Sequence, residues 1–256
     1  MKLTRVIGTP ALRGVDPFLM LDEFRSDEPQ DYLAGFPDHP HRGFETITYM
    51  VAGRFRHRDN KGHQGLLEAG GAQWMTAGRG IVHSEMPEQE EGLVWGFQLW
   101  LNLPATDKMR APEYRDLQPW DIPVAKLAGG VEARVLAGRV GETVGPIGDR
   151  ATTPYYVDVS IPAGERVTLE LPEALAGFVY PFEGGVSVGD RPLARGELGV
   201  LGEGQRVTLK AHGGPARALV VAGRPLREPV VQYGPFVMNT PEQLEEAVRD
   251  YRAGRF

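Results

Sequence analysis

Hydrophobic and polar residues alternate in short segments along most of the chain, and glycine or proline residues separate these segments. Short runs rich in β-branched and aromatic side chains are typical of β-strands. In the first half the predicted strands are 44–51, 54–58, 73–76, 81–83 and 94–101. In the second half they are 155–161, 166–171, 177–182, 199–201, 206–210 and 216–221. Strands that follow one another about every ten residues predict an antiparallel barrel or sandwich.

The strand pattern weakens between residues 104 and 130, where four prolines and the pair Gly129-Gly130 interrupt it. We interpret this stretch as an ordered connector between two β-modules. The second module contains two similar segments, 164–169 and 204–209, and each enters a predicted strand from a glycine. The sequence therefore predicts an all-β chain that is built from two modules.

The last residues of the chain change from a strand pattern to a helix pattern. Thr240 is a candidate N-cap, Pro241 suits the first helical position, and Gln243 can complete a capping box. Apolar residues then recur with helical spacing at Leu244, Ala247, Val248 and Tyr251. We predict one short amphipathic helix over 241–253, with its apolar side docked on a barrel.

The composition excludes several classes of protein. The chain has 256 residues and a net charge of -6, whereas nucleic-acid binders usually carry a basic surface. It has no cysteine, which excludes disulfides, iron–sulfur clusters and thiolate metal sites. The first residues lack the apolar run of a signal peptide, and the longest apolar stretch is too short to span a bilayer. We expect a cytoplasmic protein without direct nucleic-acid or membrane binding.

Five of the six histidines lie between residues 39 and 83. One residue separates His39 from His41, and one residue separates His83 from Glu85. Alternate residues of a β-strand point to the same face, so each pair can direct two ligand groups to one point. Three imidazoles and one carboxylate can bind a divalent transition metal and leave coordination positions open. The sequence therefore predicts a metalloprotein with chemistry at the metal.

Glu45 is an alternative ligand to Glu85, because a glutamate about four residues after a His-x-His pair is a common pattern in metal-binding barrels. The candidate positions are all odd-numbered and lie on separate strands, so strand alternation does not choose between the two glutamates. His57 and His63 are weaker candidates, because arginines flank His57 and a glycine turn precedes His63. His212 lies in the second module and is expected at the surface.

Four parts of the sequence resemble the signature of the pirin family, which belongs to the cupin superfamily. The first reads FPDHPHRGFET, and the second reads QWMTAGRGIVHSEMP. In order along the chain, the four parts are 36–46, 73–87, 98–103 and a C-terminal stretch that matches at 223–230 and again at 234–240. The resemblance covers nearly the whole chain and is least distinct over residues 126–176.

The resemblance implies a bicupin, in which two antiparallel, jelly-roll-type β-barrels lie face to face and a short helix ends the chain. It implies a metal-carrying N-terminal barrel over 1–125 and a C-terminal barrel without metal over 126–229. Residues 230–256 then form a C-terminal segment whose helix packs back on the barrels.

Pirins hold one metal in the first barrel through three histidines and one glutamate. Carried over to this sequence, the resemblance favours Glu85 over Glu45 and implies the ligands His39, His41, His83 and Glu85. We expect one divalent transition metal per chain. Iron as Fe(II) is the first choice, and Mn, Ni, Co, Cu and Zn are the alternatives.

Some pirins resemble quercetin 2,3-dioxygenases, which open the central ring of a flavonol with O2 and release carbon monoxide. This implies a flavonoid-like aromatic substrate, with Glu85 as the catalytic base for its 3-hydroxyl proton. Other pirins act as transcription cofactors or as modulators of metabolic enzymes. The alternative function is therefore a metal-dependent regulatory protein with a protein partner, and the same four ligands would serve it.

Overall fold

The computed structural model describes residues 1–148, 150–171 and 175–256, and strands dominate it as the sequence predicts. The described chain divides into two compact units. The first unit contains Met1–Gly14, Phe18–Asp121 and Leu226–Phe256, and the second contains Val15–Pro17 and Ile122–Pro225. The C-terminal segment thus belongs to the same unit as the candidate ligands.

The first unit begins with a run of strands and one helical turn, and all its residues up to Asp121 are described. These elements are β1 (Thr4–Ile7), β2 (Phe18–Ser26), α1 (Pro29–Tyr32), β3 (Phe36–His41), β4 (Phe44–Ala52), β5 (Phe55–Asp59), β6 (Gln64–Leu67), β7 (Ala72–Thr76), β8 (Ile81–Pro87), β9 (Val94–Asn102) and β10 (Glu113–Leu117). Neighbouring strands pair antiparallel in two sheets, with the orders β1-β2-β9-β4-β7-β10 and β3-β8-β5-β6.

The two sheets face each other across a barrel interior with a polar middle. Glu85 on β8 accepts hydrogen bonds from side chains on β4, β7 and β9 of the opposite sheet. Strand alternation gives β4 an inner face of Phe44, Thr46, Thr48 and Met50, which is apolar at both ends. The candidate site therefore lies between two apolar ends of one barrel.

Apolar clusters close both ends of this interior. At the Met50 end, the rings of Phe24 and Phe55 stack with their centroids 5.4 Å apart. At the Phe44 end, the cluster contains Met20, Phe44, Trp100 and Val237. Each large side chain of this kind contributes about 1.5–3 kcal/mol when it is fully buried. The clusters stabilise the barrel on either side of the polar middle.

The second unit has its own β-structure and an apolar interior. Its elements are β11 (Val124–Lys126), η1 (Ala128–Gly130), β12 (Glu132–Ala137), β13 (Arg139–Val140), β14 (Thr143–Val144), β15 (Tyr155–Ile161), β16 (Arg166–Glu170), β17 (Ala176–Val188), β18 (Arg191–Leu193), β19 (Gly199–Val200) and β20 (Arg206–Gly223). Most of these strands form one antiparallel sheet, and valine and alanine dominate its buried core. This interior has no counterpart of the polar middle among its described residues.

Two segments predicted as separate strands, 206–210 and 216–221, are one long strand, β20. Its first part pairs with β16 and its later part pairs with β15. The change of partner occurs around Gly213, which has a φ of +76°. Glycine takes this backbone conformation without steric cost, so the strand bends there and continues.

The stretch predicted as a connector, 104–130, contains two strands. β10 pairs with β7 and extends a sheet of the first unit, and β11 pairs with β12 and extends the sheet of the second unit. The β10 sequence EYRDL has charged residues at three of its five positions. An edge strand with this composition lacks the apolar alternation from which strands were predicted.

The C-terminal residues form a hairpin, β21 (Val231–Tyr233) and β22 (Phe236–Met238), followed by the helix α2 (Pro241–Arg252). The predicted helix is confirmed, and it begins with the predicted capping box of Thr240 and Gln243. Its apolar side packs in a cluster with Phe236, Phe256 and Val82 of β8. The helix therefore docks on the four-stranded sheet that carries the histidines.

Candidate metal centre

The histidine group is assembled by two neighbouring strands. His39 and His41 lie on β3, His83 lies on β8, and His39 is the register partner of His83. One ligand nitrogen from each ring lies within 4.8 Å of the others. His41 is 2% exposed and His83 is 0% exposed, while His39 is half-buried. The structure thus brings together the three histidines that the sequence predicts.

Burial keeps the imidazoles of His41 and His83 neutral. It lowers the pKa of His83 well below the usual value, and the neighbouring His41 and His39 lower it further. Burial lowers the pKa of His41 in the same way, and the neighbouring His39 adds to the effect. Neutral imidazole is the form that coordinates a metal.

The hydrogen-bond pattern also fits a bound metal. Both ring nitrogens of His41 and Nε2 of His83 are buried and have no hydrogen-bond partner in the described part of the chain. His39 donates from Nδ1 to the carbonyl of Pro37 at 2.8 Å, which leaves Nε2 with its lone pair. A buried polar atom without a partner costs about 1–3 kcal/mol. A divalent transition metal would satisfy one nitrogen of each ring.

Glu85 lies in the same barrel but outside this three-histidine group. Its Oε1 accepts hydrogen bonds from Thr48 Oγ1 at 2.7 Å and from Gln73 Nε2, and its Oε2 accepts from Gln98 Nε2 at 2.7 Å. Glu85 is 1% exposed. Three neutral donors therefore position a buried carboxylate on the same face of β8 as His83.

Glu45 occupies the other face of its sheet. It lies on β4 three residues before Thr48, so strand alternation turns it away from the side chain that contacts Glu85. Its Oε1 accepts a hydrogen bond of 2.6 Å from Thr76 Oγ1. Alternation could not separate the two glutamates in the sequence, because it gives no information about which face of β4 is inside.

His57 lies beside the histidine group, although its flanking arginines make it a weak candidate in the sequence. Alternation turns Arg56 and Arg58 away from His57, which is 1% exposed. The Nδ1 atoms of His57 and His83 are 3.4 Å apart, and the His57 ring stacks on Tyr114 with centroids 4.2 Å apart. The signal available in the sequence was the alternating pair His57-x-Asp59.

The other two histidines are more exposed. The side chain of His63 is 38% exposed and contacts Asp59, and His212 is exposed in the second unit, as expected.

Aromatic side chains border the histidines on one side. The rings of Phe44 and Trp100 have their centroids 5.0 and 5.2 Å from that of His41. Nε1 of Trp100 is buried and has no hydrogen-bond partner among the described residues. This aromatic wall of Phe44 and Trp100 was not predicted from the sequence, and neither were Gln73 and Gln98 around Glu85. The two glutamines are polar residues within predicted buried strands, which was the available signal.

The chain contains two cupin domains, which define its class as a bicupin. The three-histidine group in the first barrel fits a bound metal. The chain belongs to the pirin family. The family model Pirin matches residues 1–101, and the model Pirin C-terminal cupin domain matches residues 156–256.

A Pseudomonas aeruginosa protein named "Putative quercetin 2,3-dioxygenase" is 52% identical over 99% of this chain and 91% of that protein. The crystal structure of a quercetin 2,3-dioxygenase from Acinetobacter baumannii is 34% identical, with a TM-score of 0.91 over 99% of this chain and 91% of the other. A nickel(II) complex of a bacterial pirin from Escherichia coli is 17% identical, with a TM-score of 0.69 over 87% of this chain and 91% of the other, and this shows likeness of fold. In the described residues of this chain, no helix has the length and apolar character to cross a membrane.

Proposed function

We propose that this chain is a metal-dependent dioxygenase of the quercetin 2,3-dioxygenase type. The observation that carries the proposal is the buried group of His39, His41 and His83, with the Glu85 carboxylate on the same face of β8. One metal per chain is held by these residues, with Glu85 as the fourth ligand and Fe(II) as the first choice. Three imidazoles and a carboxylate leave a divalent metal with open positions.

When bound, the metal supplies Lewis acidity at the substrate's 3-hydroxyl and redox chemistry for O2. Glu85 takes the proton of that hydroxyl as the general base. Thr48, Gln73 and Gln98 hold the two carboxylate oxygens in position, so the base does not rotate away from the hydroxyl. The reaction consumes one O2, opens the central ring of the flavonol and releases one carbon monoxide.

The flavonol packs against the aromatic wall at Trp100, which is 9% exposed, whereas Phe44 is fully buried. Phe44 and Trp100 lie against each other, with their ring centroids 4.3 Å apart, and both border His41. A planar aromatic substrate packs on such rings, and Nε1 of Trp100 provides a donor for a substrate oxygen. The apolar cluster around them excludes water from the reacting ring.

The test is anaerobic reconstitution of the metal-free protein with Fe(II), followed by addition of quercetin and O2. We expect loss of the flavonol absorbance and formation of carbon monoxide in equal amount to the O2 consumed. A Zn(II)-loaded sample is the control, because zinc binds the same ligands without redox chemistry. Tight Fe(II) binding without carbon monoxide release would overturn the proposed dioxygenase activity and favour the alternative function, a metal-dependent regulatory protein.

A further inference from the structure

A line of polar contacts runs from the half-exposed His63 to the buried His83. His63 Nδ1 lies 2.8 Å from Asp59 Oδ2, which lies 3.3 Å from His57 Nε2. His57 Nδ1 in turn lies 3.4 Å from His83 Nδ1. The pairing of β3 with β8 brings the three histidines together without these contacts.

Strand geometry places this line beside the candidate ligands. β5 pairs with β8 on the side opposite to β3, and Asp59 is the register partner of His83. The alternating pair His57 and Asp59 therefore enters the barrel next to the strand that carries His83. The Asp59 side chain is 0% exposed, and its Oδ1 accepts from the backbone N–H groups of Lys61 and His63.

The contact between His57 and His83 requires one donor and one acceptor. When Nε2 of His83 is the ligand atom, its Nδ1 carries the hydrogen and donates to Nδ1 of His57. His57 must then carry its own hydrogen on Nε2, where Asp59 accepts it. Each ring hydrogen of His83 and His57 is thus assigned to one nitrogen, and each of these N–H donors lies next to an acceptor.

We propose that His57, supported by Asp59, is a positioning residue that sets the tautomer and ring orientation of His83. This inference rests on the proposed metal site. Partners of this kind, on the nitrogen that does not bind the metal, orient the ligand and raise its basicity. The stack on Tyr114 fixes the plane of the His57 ring, so the line is held by packing as well as by hydrogen bonds.

The first experiment measures Ni(II) affinity by competition with a chelator. His57→Phe keeps a ring against Tyr114 but removes both nitrogens, and we expect binding about 10–100-fold weaker than wild type. His57→Gln retains a polar group at this position and should recover part of the affinity. The matched control is His212→Phe in the second unit, which should bind Ni(II) as wild type does.

A second measurement does not depend on a variant. In the Zn(II)-loaded wild type with 15N-labelled histidine, we expect the ring-nitrogen shifts to show hydrogen on Nδ1 of His83 and on Nε2 of His57. Hydrogen on Nδ1 of His57 would overturn the proposal. Because this measurement uses the wild type, it tests the positioning role of His57 even if His57→Phe fails to fold.

The variant His83→Phe separates this inference from the metal site itself. If His83→Phe binds Ni(II) as tightly as wild type, the proposed metal site fails. If His83→Phe loses the metal while folded His57→Phe and Asp59→Asn bind it like wild type, the metal site stands and the positioning role of His57 is overturned.

Discussion

At the scale of single residues, the first barrel buries a carboxylate among neutral donors and three imidazoles that are short of hydrogen-bond partners. Glu85 accepts from a hydroxyl and two amides, while the ring nitrogens of His41 have no partner among the described residues. Unsatisfied polar groups in an otherwise well-packed interior are expected where a ligand completes the structure.

Replacing Glu85 tests its role as ligand and base. Glu85→Gln removes the negative charge and places an amide beside the donors of Gln73 and Gln98. We expect weaker metal binding and a loss of quercetin turnover of about 10²–10⁴-fold, the usual effect of a missing general base. Both are measured on Fe(II)-reconstituted protein by chelator competition and by carbon monoxide release.

Glu45→Gln is the matched control for that variant, because Glu45 faces the other side of its sheet and contacts Thr76. We expect a smaller loss than for Glu85→Gln, and at most the ~10–100-fold effect of a residue that supports a site. Loss of metal and activity in Glu45→Gln, with both retained in Glu85→Gln, would reverse the assignment of the two glutamates.

The lowered histidine pKa values make the metal-free protein sensitive to acid. Burial is the main cause for His41, His57 and His83, so the unfolded chain binds more protons than the folded chain below the usual value of 6.5. The free energy of unfolding therefore falls as the pH decreases through 6.5 toward the lower folded values. Urea titrations between about pH 7.5 and 5.5 measure this, and a flat profile would contradict it.

At the scale of elements, the C-terminal hairpin packs tightly against the junction of β3 and β4. Gly43 has a φ of +91°, and a Cβ atom built on it would lie 1.9 Å from the carbonyl oxygen of Val237. The ammonium of Lys108 donates to this same carbonyl and to that of Gly43, at 3.0 and 2.8 Å. Backbone contact and a buried lysine thus hold the hairpin beside the histidine strand.

Gly43→Ala should loosen this junction. The methyl group forces the hairpin away and strains the backbone, and we expect a loss of about 2–4 kcal/mol in the free energy of unfolding. Gly62→Ala is the matched control, because Gly62 has a φ of +92° and open space around its Cβ position. That change should cost only about 1 kcal/mol of backbone strain. Equal losses in urea unfolding would show that the contact with Val237 contributes nothing.

At the scale of the whole molecule, the two units bury opposite kinds of interior. The first contains the only group of three histidine or acidic ligands found among the described residues, His39, His41 and His83. The second is filled with valine and alanine around Val157, Val179 and Val220. No group of three metal ligands is found among the described residues of the second unit, so we expect metal binding in the first unit only.

We therefore expect one tightly bound metal per chain after reconstitution with Fe(II). Elemental analysis after gel filtration measures the ratio, and thermal unfolding should shift upward with the metal, because a ligand that binds only the folded state stabilises it. Alanine at His41 or His83 should remove the metal, whereas alanine at His212 should retain it. Two tight sites per chain, or none, would contradict this expectation.

The β-rich architecture, the capped C-terminal helix and the alternating pairs His39-x-His41 and His83-x-Glu85 can be predicted from the sequence alone. These follow from local alternation, capping chemistry and residue spacing, which act over a few neighbouring positions. The pairing of β3 with β8, by contrast, brings His83 to the other two histidines. The tertiary structure decided which face of β4 is inside, and hence the opposite placements of Glu45 and Glu85. It also brought His57 to His83 and Trp100 to His41, because strand pairing and the closure of two sheets set those distances, and neither is encoded locally.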